Sequence, residues 1–283
     1  MKRSAKCFRA WLWRKAAKGA KDHDIETGLR AIFLGDFVSS HIIRHGYYER
    51  RELEALARSV FTGPGGAGSG STALDIGANI GNHAAFLSNH FSRVIAFEPN
   101  PMVACLLKAN AMALGGGGAF EVVETGLSDS STTLNFSVNE RNLGGSSVVE
   151  EATGSTIDVT SLDSLVEPLG IRNVSFVKID VEGHEARVLG GGRKLFSESQ
   201  PVIAMEAHYE NDPDPPALAL LHEFGYRHYY RFTERPTVWG KYLGRVPKPF
   251  RIYLPLFLEE TQDIALTNHN LLIASRDPIE SCN

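Results

Sequence analysis

The stretch from Ala73 to His83, ALDIGANIGNH, constrains the fold more than any other part of the chain. A short apolar run over 72–76 is followed by Gly77 and Gly81, and then by an apolar-periodic segment typical of a helix. Glycines allow a sharp backbone turn and leave no Cβ in the way of a ligand. The N–H groups that open the helix are expected to point at that ligand. The stretch therefore predicts a strand, a ligand-binding glycine turn and a helix.

Two acidic side chains indicate which ligand the turn binds. Asp75 lies just before the turn, and Glu98 ends the next apolar run, roughly 20 residues after the turn, where an acid suits ribose hydroxyls. A dinucleotide fingerprint would have glycine where this chain has Asn79, and Asp75 would repel a phosphate. A carboxylate suits a cationic ligand with an amino group. We therefore predict S-adenosylmethionine as the cofactor; an ordinary glycine turn in an α/β protein is the alternative.

Apolar runs and helical patterns alternate from residue 72 onward, which predicts an α/β fold with a mostly parallel, doubly wound sheet. The predicted strands are 72–77, 93–98, 120–124, 132–138, 155–160, 174–180, 201–206, 225–232 and 269–275, and the predicted helices are 82–90, 101–113, 161–166 and 215–224. We expect a turn at 125–129 and a glycine-rich loop at 142–147. Residues 236–262 are predicted to be an insertion that forms a lid or a dimer contact.

Changes in composition predict four parts of the chain. Residues 1–24 form a basic arm, 25–62 a helical cap, 63–71 a flexible glycine-rich connector and 72–283 the catalytic domain. Basic and aromatic residues over 1–21 suit peripheral contact with an anionic membrane, or a solvated arm. In the cap, the segment 47–49, Tyr-Tyr-Glu, suits either packing or contact with a substrate.

Composition also excludes several classes of protein. Hydrophobic residues make up 43% of the 283 residues, which is enough for a packed core. The net charge of -4 argues against general nucleic-acid binding. The 3 cysteines lie far apart without metal-ligand spacing, which favours a reducing compartment, and no apolar run is long enough to span a bilayer. We expect a cytoplasmic protein and make no prediction of its oligomeric state.

Acidic side chains end four of the predicted strands. Asp75, Glu98, Asp180 and Glu206 each follow an otherwise apolar run. In open α/β sheets, ligands bind at the carboxyl ends of the strands. The four acids are therefore expected to meet in one site.

Three motifs then resemble the FkbM family of S-adenosylmethionine-dependent methyltransferases. They are LDIGANIGNH at 74–83, FEPNP at 97–101 and VKIDVEGHE at 177–185, and the resemblance covers roughly residues 36–208. It implies a Rossmann-like class I methyltransferase fold with a helical N-terminal cap. It also implies O-methylation of a hydroxyl on a sugar, a glycolipid or a secondary metabolite such as a polyketide.

The resemblance also implies roles for individual residues. Asp75 and Gly77 would border the methionine end of the cofactor, and Glu98 would accept hydrogen bonds from its ribose. Asp180 would lie near the amino group of the cofactor or near the acceptor. The other residues expected around the cofactor are Asn79, Gly81 and Asn82 in the turn, and Leu127, Ser128 and Asp129 near adenine.

Methylation of an alcohol benefits from a general base. The candidates are His184, Glu206 and Glu182; the alternative role for His184 is to cap the following helix. Asp180, Glu182 and Glu206 could together supply oxygen ligands to Mg²⁺, but we expect a site without metal.

Two other functions stay open at this point. An NAD-dependent oxidoreductase could have a similar sheet, although Asn79 and Asp75 argue against it. A non-catalytic, membrane-peripheral adapter that keeps a cofactor pocket is the second, and the basic arm is its only support.

Overall fold

The computed structural model describes residues 31–33, 36–62, 66–68, 70–115, 120–139, 145–151, 154–207, 216–234, 256–261 and 269–279. The helices are α1 (Phe37–His45), α2 (Arg50–Leu56) with a π-helical turn (Ala57–Phe61), α3 (Asn82–Leu87), α4 (Pro101–Leu114), α5 (Leu162–Val166), α6 (Glu185–Gly191), α7 (Arg193–Ser199) and α8 (Pro216–Glu223). The strands are β1 (Thr72–Ile76), β2 (Arg93–Phe97), β3 (Glu121–Val123), β4 (Gly126–Ser128), β5 (Thr132–Ser137), β6 (Ser147–Val148), β7 (Thr156–Ser161), β8 (Val174–Ile179), β9 (Val202–Ala207), β10 (His228–Glu234), β11 (Leu256–Glu260) and β12 (His269–Ser275).

Within these residues, eight strands form the main sheet in the order β11-β10-β12-β9-β8-β1-β2-β3. Neighbours from β3 to β9 pair in parallel, whereas β12 is antiparallel to both β9 and β10, and β11 is antiparallel to β10. Strand β12 is therefore inserted antiparallel between β9 and β10, which the sequence analysis did not predict. The predicted mostly parallel, doubly wound sheet is therefore confirmed.

Helices cover both faces of this sheet, and the strand residues alternate between two apolar clusters. Ala73 and Ala96 join the cluster that contains the cap helices α1 and α2, together with α3 and α4. Leu74 and Ile95 join the cluster under α5 to α8. Alternation along β1, β8 and β9 therefore directs the strand-end acids toward the cap side of the sheet.

A second, smaller sheet lies beside the carboxyl ends of the main strands. It has the order β4-β7-β5-β6. The sequence predicted β5 and β7, but it predicted residues 125–129 as a turn, and Gly126–Ser128 is instead a buried strand paired in parallel with β7. A three-residue strand is too short to show a period in the sequence, which explains this error.

The cap is part of the same folded core as the main sheet. Leu53 and Phe61 belong to the cluster that also holds Ala73 and Phe176. The described part of the predicted connector is tied down: the Ala67 N–H donates to Val60 O over 2.8 Å, and the Ser175 hydroxyl donates to Ala67 O over 2.6 Å. These hydrogen bonds attach the described part of the connector to the fold, and the flexibility expected of 63–71 stays a prediction. Residues 63–65 and the arm over 1–24 lie outside the described ranges.

Two elements differ from the expectation near the end of the chain. Strand β11 forms the edge of the main sheet inside the segment 236–262, which was predicted to be an insertion. Between β8 and β9, the sequence analysis anticipated a helix after His184 without giving its bounds, and it did not predict α7. In the part of the chain that the structure describes, no helix has the length and apolar character needed to cross a bilayer.

Candidate active site

The glycine turn after β1 is shaped by close backbone packing. Gly77 has a φ of +76°, and a Cβ on it would lie 1.8 Å from the carbonyl oxygen of Asp180. Gly81 has a φ of +92°, and its Cβ would lie 2.8 Å from Leu107 Cδ1. Close approach of neighbouring protein atoms therefore requires glycine at both positions, and Gly77 also lines the cleft described below. Asn79 takes the left-handed conformation between them, with a φ of 50°, which asparagine tolerates better than most residues.

Glu98 ties this turn to the end of β2. Its Oε2 accepts the Asn79 N–H over 3.0 Å, and its Oε1 accepts the Asn100 N–H over 2.9 Å. Each carboxylate oxygen has a second lone pair, so Glu98 can still accept hydrogen bonds from ribose hydroxyls. Burial raises the pKa of Glu98 to about 7, against the effect of the two backbone N–H groups.

A buried lysine links the acids at the ends of β1 and β8. Lys178 Nζ lies 3.3 Å from Asp75 Oδ1 and 3.2 Å from Asp180 Oδ2, and it donates to Gly77 O over 2.9 Å. Burial alone would lower the pKa of Lys178, but the Asp180 and Asp75 carboxylates raise it, so the ammonium stays charged. The Asp75 side chain is 0% exposed and does not line the cleft. Lys178 therefore balances the charge of Asp75 inside the protein, and the place of Asp75 beside the methionine end of the cofactor stays a prediction.

Asp180 and Glu206 form a carboxyl pair at the ends of β8 and β9. Burial, followed by the Asp180 charge, raises the pKa of Glu206 to about 9. Burial would also raise the pKa of Asp180, but Lys178 and a hydrogen bond with Glu206 lower it. At neutral pH the shared proton therefore resides on Glu206, which counts against Glu206 as a general base. One oxygen each of Asp180, Glu182 and Glu206 lie within 4.8 Å of one another, so these three could hold a cation.

His184 lies between β8 and α6, and it contacts the end of β4. Its Nε2 lies 2.9 Å from the Ser128 hydroxyl oxygen, and its side chain does not cap α6. Burial, with a smaller effect from Arg187, lowers the pKa of His184, so the ring is neutral at pH 7. Asp129 is exposed and pairs with Arg187 over 2.8 Å. His184 is therefore on the side of the site predicted to bind adenine.

The loop between α1 and α2 closes the opposite side of the site. The Tyr48 N–H donates to Asn82 Oδ1 over 2.9 Å, and Asn82 Nδ2 donates to Tyr48 O over 3.0 Å. Glu49 Oε2 lies 3.2 Å from His83 Nε2. Burial first, then Glu49, Asp180 and Glu206, raises the pKa of the Tyr48 phenol, which shows that these groups share one environment. Tyr47 instead packs on Phe86.

These groups surround one cleft of about 250 Å³. The predicted residues that line it are Gly77, Asn79, Asn82, Glu98, Leu127, Asp180, Glu182, His184 and Glu206. Gly81, Ser128 and Asp129 do not line it, and neither does Asp75. The second sheet adds an apolar wall to the cleft, made of Phe136, Val148, Ile157 and Val159.

The charges in the cleft fit S-adenosylmethionine better than a dinucleotide. Five carboxyl side chains line it: Glu49, Glu98, Asp180, Glu182 and Glu206. Within the described ranges, Lys178 is the only Lys or Arg that does so, and it is already paired with two acids. Diphosphate would find no free cation here, whereas a ribose diol can donate to Glu98 and an ammonium group to Asp180.

The sequence analysis missed the roles of three residues. Lys178 was recognisable as the single charged residue within the strand over 174–179, because a lysine is rarely fully buried unless it is paired. His83 and Glu49 lie 34 positions apart in the chain, so no local pattern indicates that they meet.

Comparison with known proteins also indicates a methyltransferase. A family model described as the methyltransferase FkbM domain matches residues 75–228. The hexuronic acid methyltransferase AglP of Haloferax volcanii is 35% identical over 139 residues, which are 49% of this chain and 56% of AglP. The chain therefore matches about half the length of this curated relative.

Solved structures show weaker similarity. Methyltransferase FkbM from Methylobacillus flagellatus has a TM-score of 0.46 and 17% identity, covering 88% of this chain and 57% of that one. A SAM-dependent O-methyltransferase from Thermotoga maritima has a TM-score of 0.43 and 13% identity, covering 84% of this chain and 71% of that one. The fold assignment rests on the strand order described above, and the family assignment rests on the domain match.

That match spans more than half of the chain and includes the glycine turn, Glu98, Lys178, Asp180 and Glu206. It favours a methyltransferase domain over the NAD-dependent oxidoreductase that the sequence left open. The chain belongs to the FkbM methyltransferase domain family.

Proposed function

We propose that this protein transfers a methyl group from S-adenosylmethionine to a hydroxyl group of a sugar-containing acceptor. The curated relative is named as a hexuronic acid methyltransferase, which supports a sugar as the acceptor. A hexuronic acid offers both hydroxyl and carboxyl oxygens to a methyl donor. The acidic lining of the cleft favours a hydroxyl as the group that is methylated, because the carboxylates of the lining would repel an acceptor carboxylate beside the methyl group.

The residues of the cleft divide between binding the cofactor and receiving the acceptor. Glu98 would hold the ribose, Asp180 the ammonium group, and Leu127 would contact adenine. When bound, S-adenosylmethionine supplies an electrophilic methyl group on a cationic sulfur. Glu49, Tyr48 and Glu206 surround the remaining space on the cap side, so the acceptor would enter between the cap and the strand ends. Alignment of the acceptor with the methyl group then provides much of the rate enhancement.

The proposal is tested with cofactor that carries a labelled methyl group. The purified protein is incubated with octyl glycosides of glucose, galactose, mannose and glucuronic acid, and labelled products are identified by mass spectrometry. A methyl ether on a sugar hydroxyl survives mild alkali, whereas a methyl ester on glucuronic acid does not. Alkali-stable label is the expected result, and alkali-labile label would assign the carboxyl group instead.

Glu98→Ala serves as the control for this assay. It removes the proposed ribose acceptor, so both binding of S-adenosylhomocysteine and methyl transfer should fall. If wild-type protein binds no S-adenosylhomocysteine by calorimetry, the proposed function is wrong. The cytoplasmic location, the membrane contact of residues 1–21 and the four-part division of the chain remain predictions.

A further inference from the structure

We propose that His83, oriented by Glu49, is the general base that removes the proton from the acceptor hydroxyl. This inference rests on the methyl transfer proposed above and adds the residue that handles the proton. Neither His83 nor Glu49 was a candidate base in the sequence analysis, where His184, Glu206 and Glu182 were considered.

The contact between Glu49 and His83 orients the imidazole ring. Glu49 Oε2 lies 3.2 Å from His83 Nε2, and the side chains are 12% and 9% exposed. A carboxylate that accepts the Nε2 proton fixes the tautomer whose Nδ1 carries the free lone pair. Nδ1 of His83 has no hydrogen-bond partner among the described residues. His83 also lines the cleft, so this lone pair is available to a bound acceptor.

The backbone around Glu49 is held in an uncommon conformation that makes this contact. Glu49 has a φ of 52°, a left-handed conformation that few residues other than glycine adopt. The two hydrogen bonds between Asn82 and the Tyr48 backbone hold the residue before it. Because Asn82 also directly precedes His83, a single contact between the cap and the start of α3 positions both members of the pair.

Two of the other candidate bases, His184 and Glu206, are already engaged. His184 Nε2 is bonded to Ser128 on the predicted adenine side of the cleft. Glu206 shares its proton with Asp180. His83, by contrast, contacts Glu49 and lines the cleft on its cap side. That side is where the acceptor would enter.

The proposed step transfers one methyl group and one proton. The acceptor oxygen forms a bond to the methyl carbon while the bond from that carbon to sulfur breaks, and the electron pair stays on sulfur. The hydroxyl proton passes to Nδ1 of His83, and the Nε2 proton remains hydrogen-bonded to Glu49. The imidazolium then releases its proton to solvent. S-adenosylhomocysteine and a neutral methyl ether are the products.

The test compares His83→Gln and Glu49→Gln with wild type in the labelled glycoside assay. For His83→Gln we expect kcat to fall by about 100-fold or more, because a positioned general base typically contributes that much. The dissociation constant for S-adenosylhomocysteine should stay within about twofold, because the ground-state cofactor contacts are intact. Glu49→Gln should lower kcat by a smaller factor, because the amide still accepts a hydrogen bond from Nε2 but does not stabilise the imidazolium.

A second variant protects the test against a folding defect. In His83→Ala, imidazole added to the buffer should restore part of the lost kcat, which a purely structural histidine would not show. His90→Gln is the matched control, because His90 follows the same helix and packs on Phe61 and Phe86. It should keep wild-type turnover.

Results that contradict the role of His83 differ from those that contradict the proposed function. Wild-type kcat in a His83→Gln protein that binds the cofactor normally would overturn the role of His83. Equal losses of kcat and cofactor affinity, without rescue by imidazole in His83→Ala, would show that His83 is structural and would also overturn it. If wild type binds S-adenosylhomocysteine but methylates none of the glycosides, the sugar hydroxyl and its base are both wrong. Failure of wild type to bind the cofactor would instead overturn the proposed function itself.

Discussion

The carboxyl group of Glu98 has two partners in the protein and a third, the ribose, in the proposed complex. Because its pKa is raised to about 7 by burial, the group titrates within the range where the enzyme is assayed. The ionised form is the one that accepts two backbone N–H groups and two ribose hydroxyls together. Cofactor binding should therefore depend on pH.

We expect the dissociation constant for S-adenosylhomocysteine to be about tenfold larger at about pH 6 than at about pH 8, because one pKa unit on either side of the midpoint changes the ionised fraction by that factor. Calorimetric titrations across this range measure it. In Glu98→Gln the dependence should largely disappear. An unchanged slope in that variant would assign the effect to another group.

The same pKa predicts the opposite trend for the stability of the free protein. Because burial raises the pKa of Glu98 above its ordinary value, the folded state holds this proton more tightly than the unfolded chain. The stabilisation by the proton is fully present below about pH 4.5 and is lost as the pH rises through about 7. Raising the pH should thus weaken folding slightly through Glu98 while strengthening cofactor binding.

Lys178 is expected to stabilise the fold through its buried charge. Lys178→Met would leave Asp75 as a buried carboxylate without its balancing charge, and it would also remove the hydrogen bond to Gly77 O. Loss of one partner of a buried ion pair typically costs about 3–5 kcal/mol of folding free energy. Denaturant unfolding measures it, and Asp75→Asn added to Lys178→Met should recover part of the loss.

Lys108→Met is the matched control for that change. Lys108 pairs with Glu124 on the surface, where both side chains are more than 40% exposed, and such a pair contributes about 1 kcal/mol at most. Similar losses in the two lysine variants would contradict the buried charge balance described here.

The strand-end acids show how much of the site a sequence can predict at this scale. Asp180 and Glu206 were placed correctly, because the end of an apolar run marks the end of a strand and parallel strands end at one edge. Asp75 was placed on the same edge, but the sequence did not indicate that Lys178 lies beside it. A strand pattern gives the position of a side chain along the strand, and it does not show which charge lies on the neighbouring strand.

Among the elements, the junction between the cap and α3 is where Glu49 and His83 are brought together. The Asn82 side chain holds both the N–H and the carbonyl of Tyr48, so it fixes the loop from which Glu49 reaches His83. The sequence analysis named Asn82 as a cofactor residue. Its hydrogen bonds show that it also joins two elements.

Asn82→Ala should therefore impair the cap more than the cofactor site. Leaving the half-buried Tyr48 backbone groups without partners is expected to cost about 1 kcal/mol of folding free energy, the lower end of the usual range. Turnover should fall further than affinity for S-adenosylhomocysteine, because Glu49 loses its fixed backbone. Asn89→Ala is the control, because the Asn89 side chain donates to the Ala85 carbonyl one helical turn away and does not reach the cap in the described part of the chain. A larger loss of cofactor affinity than of turnover would argue against this role.

The elements that the sequence misassigned share a physical cause. Strands β4 and β11 are short, and each is stabilised by pairing with a strand that is distant in the chain, β7 or β10. Long elements such as α4 were predicted well because local signals suffice: Asn100 caps α4 by accepting the Met102 N–H over 3.1 Å, and Pro101 opens it. Ser161 likewise caps α5, as the sequence indicated.

At the scale of the whole molecule, the cap and the main sheet form one hydrophobic core. Leu53 is 1% exposed in the cap and belongs to the cluster that contains Ala73 of β1 and Ile273 of β12. Arg51 of α2 pairs with Glu234 of β10 over 2.6 Å, and Arg58 donates to Leu256 O of β11 over 2.8 Å. The glycine-rich composition of 63–71 suggested a boundary here, because composition does not show whether the segments on either side share a core.

A single core predicts that the cap and the sheet unfold together. Leu53→Ala should lower the free energy of unfolding by about 2–5 kcal/mol, the usual range for a buried leucine. In hydrogen exchange followed by mass spectrometry, peptides over 37–61 and 72–97 should lose protection by the same amount in this variant. Met112→Ala is the control: Met112 is 78% exposed, so the change should stay within about 0.5 kcal/mol.

An independently folded cap would give a different pattern. Protection would then fall over 37–61 while 72–97 kept the wild-type value, and cofactor binding would survive at denaturant concentrations that unfold the cap. Cooperative loss of both segments would instead mean that Glu49 is held against His83 by the stability of the entire fold. The acceptor side of the site would then be as rigid as the cofactor side, because both are built on the same core.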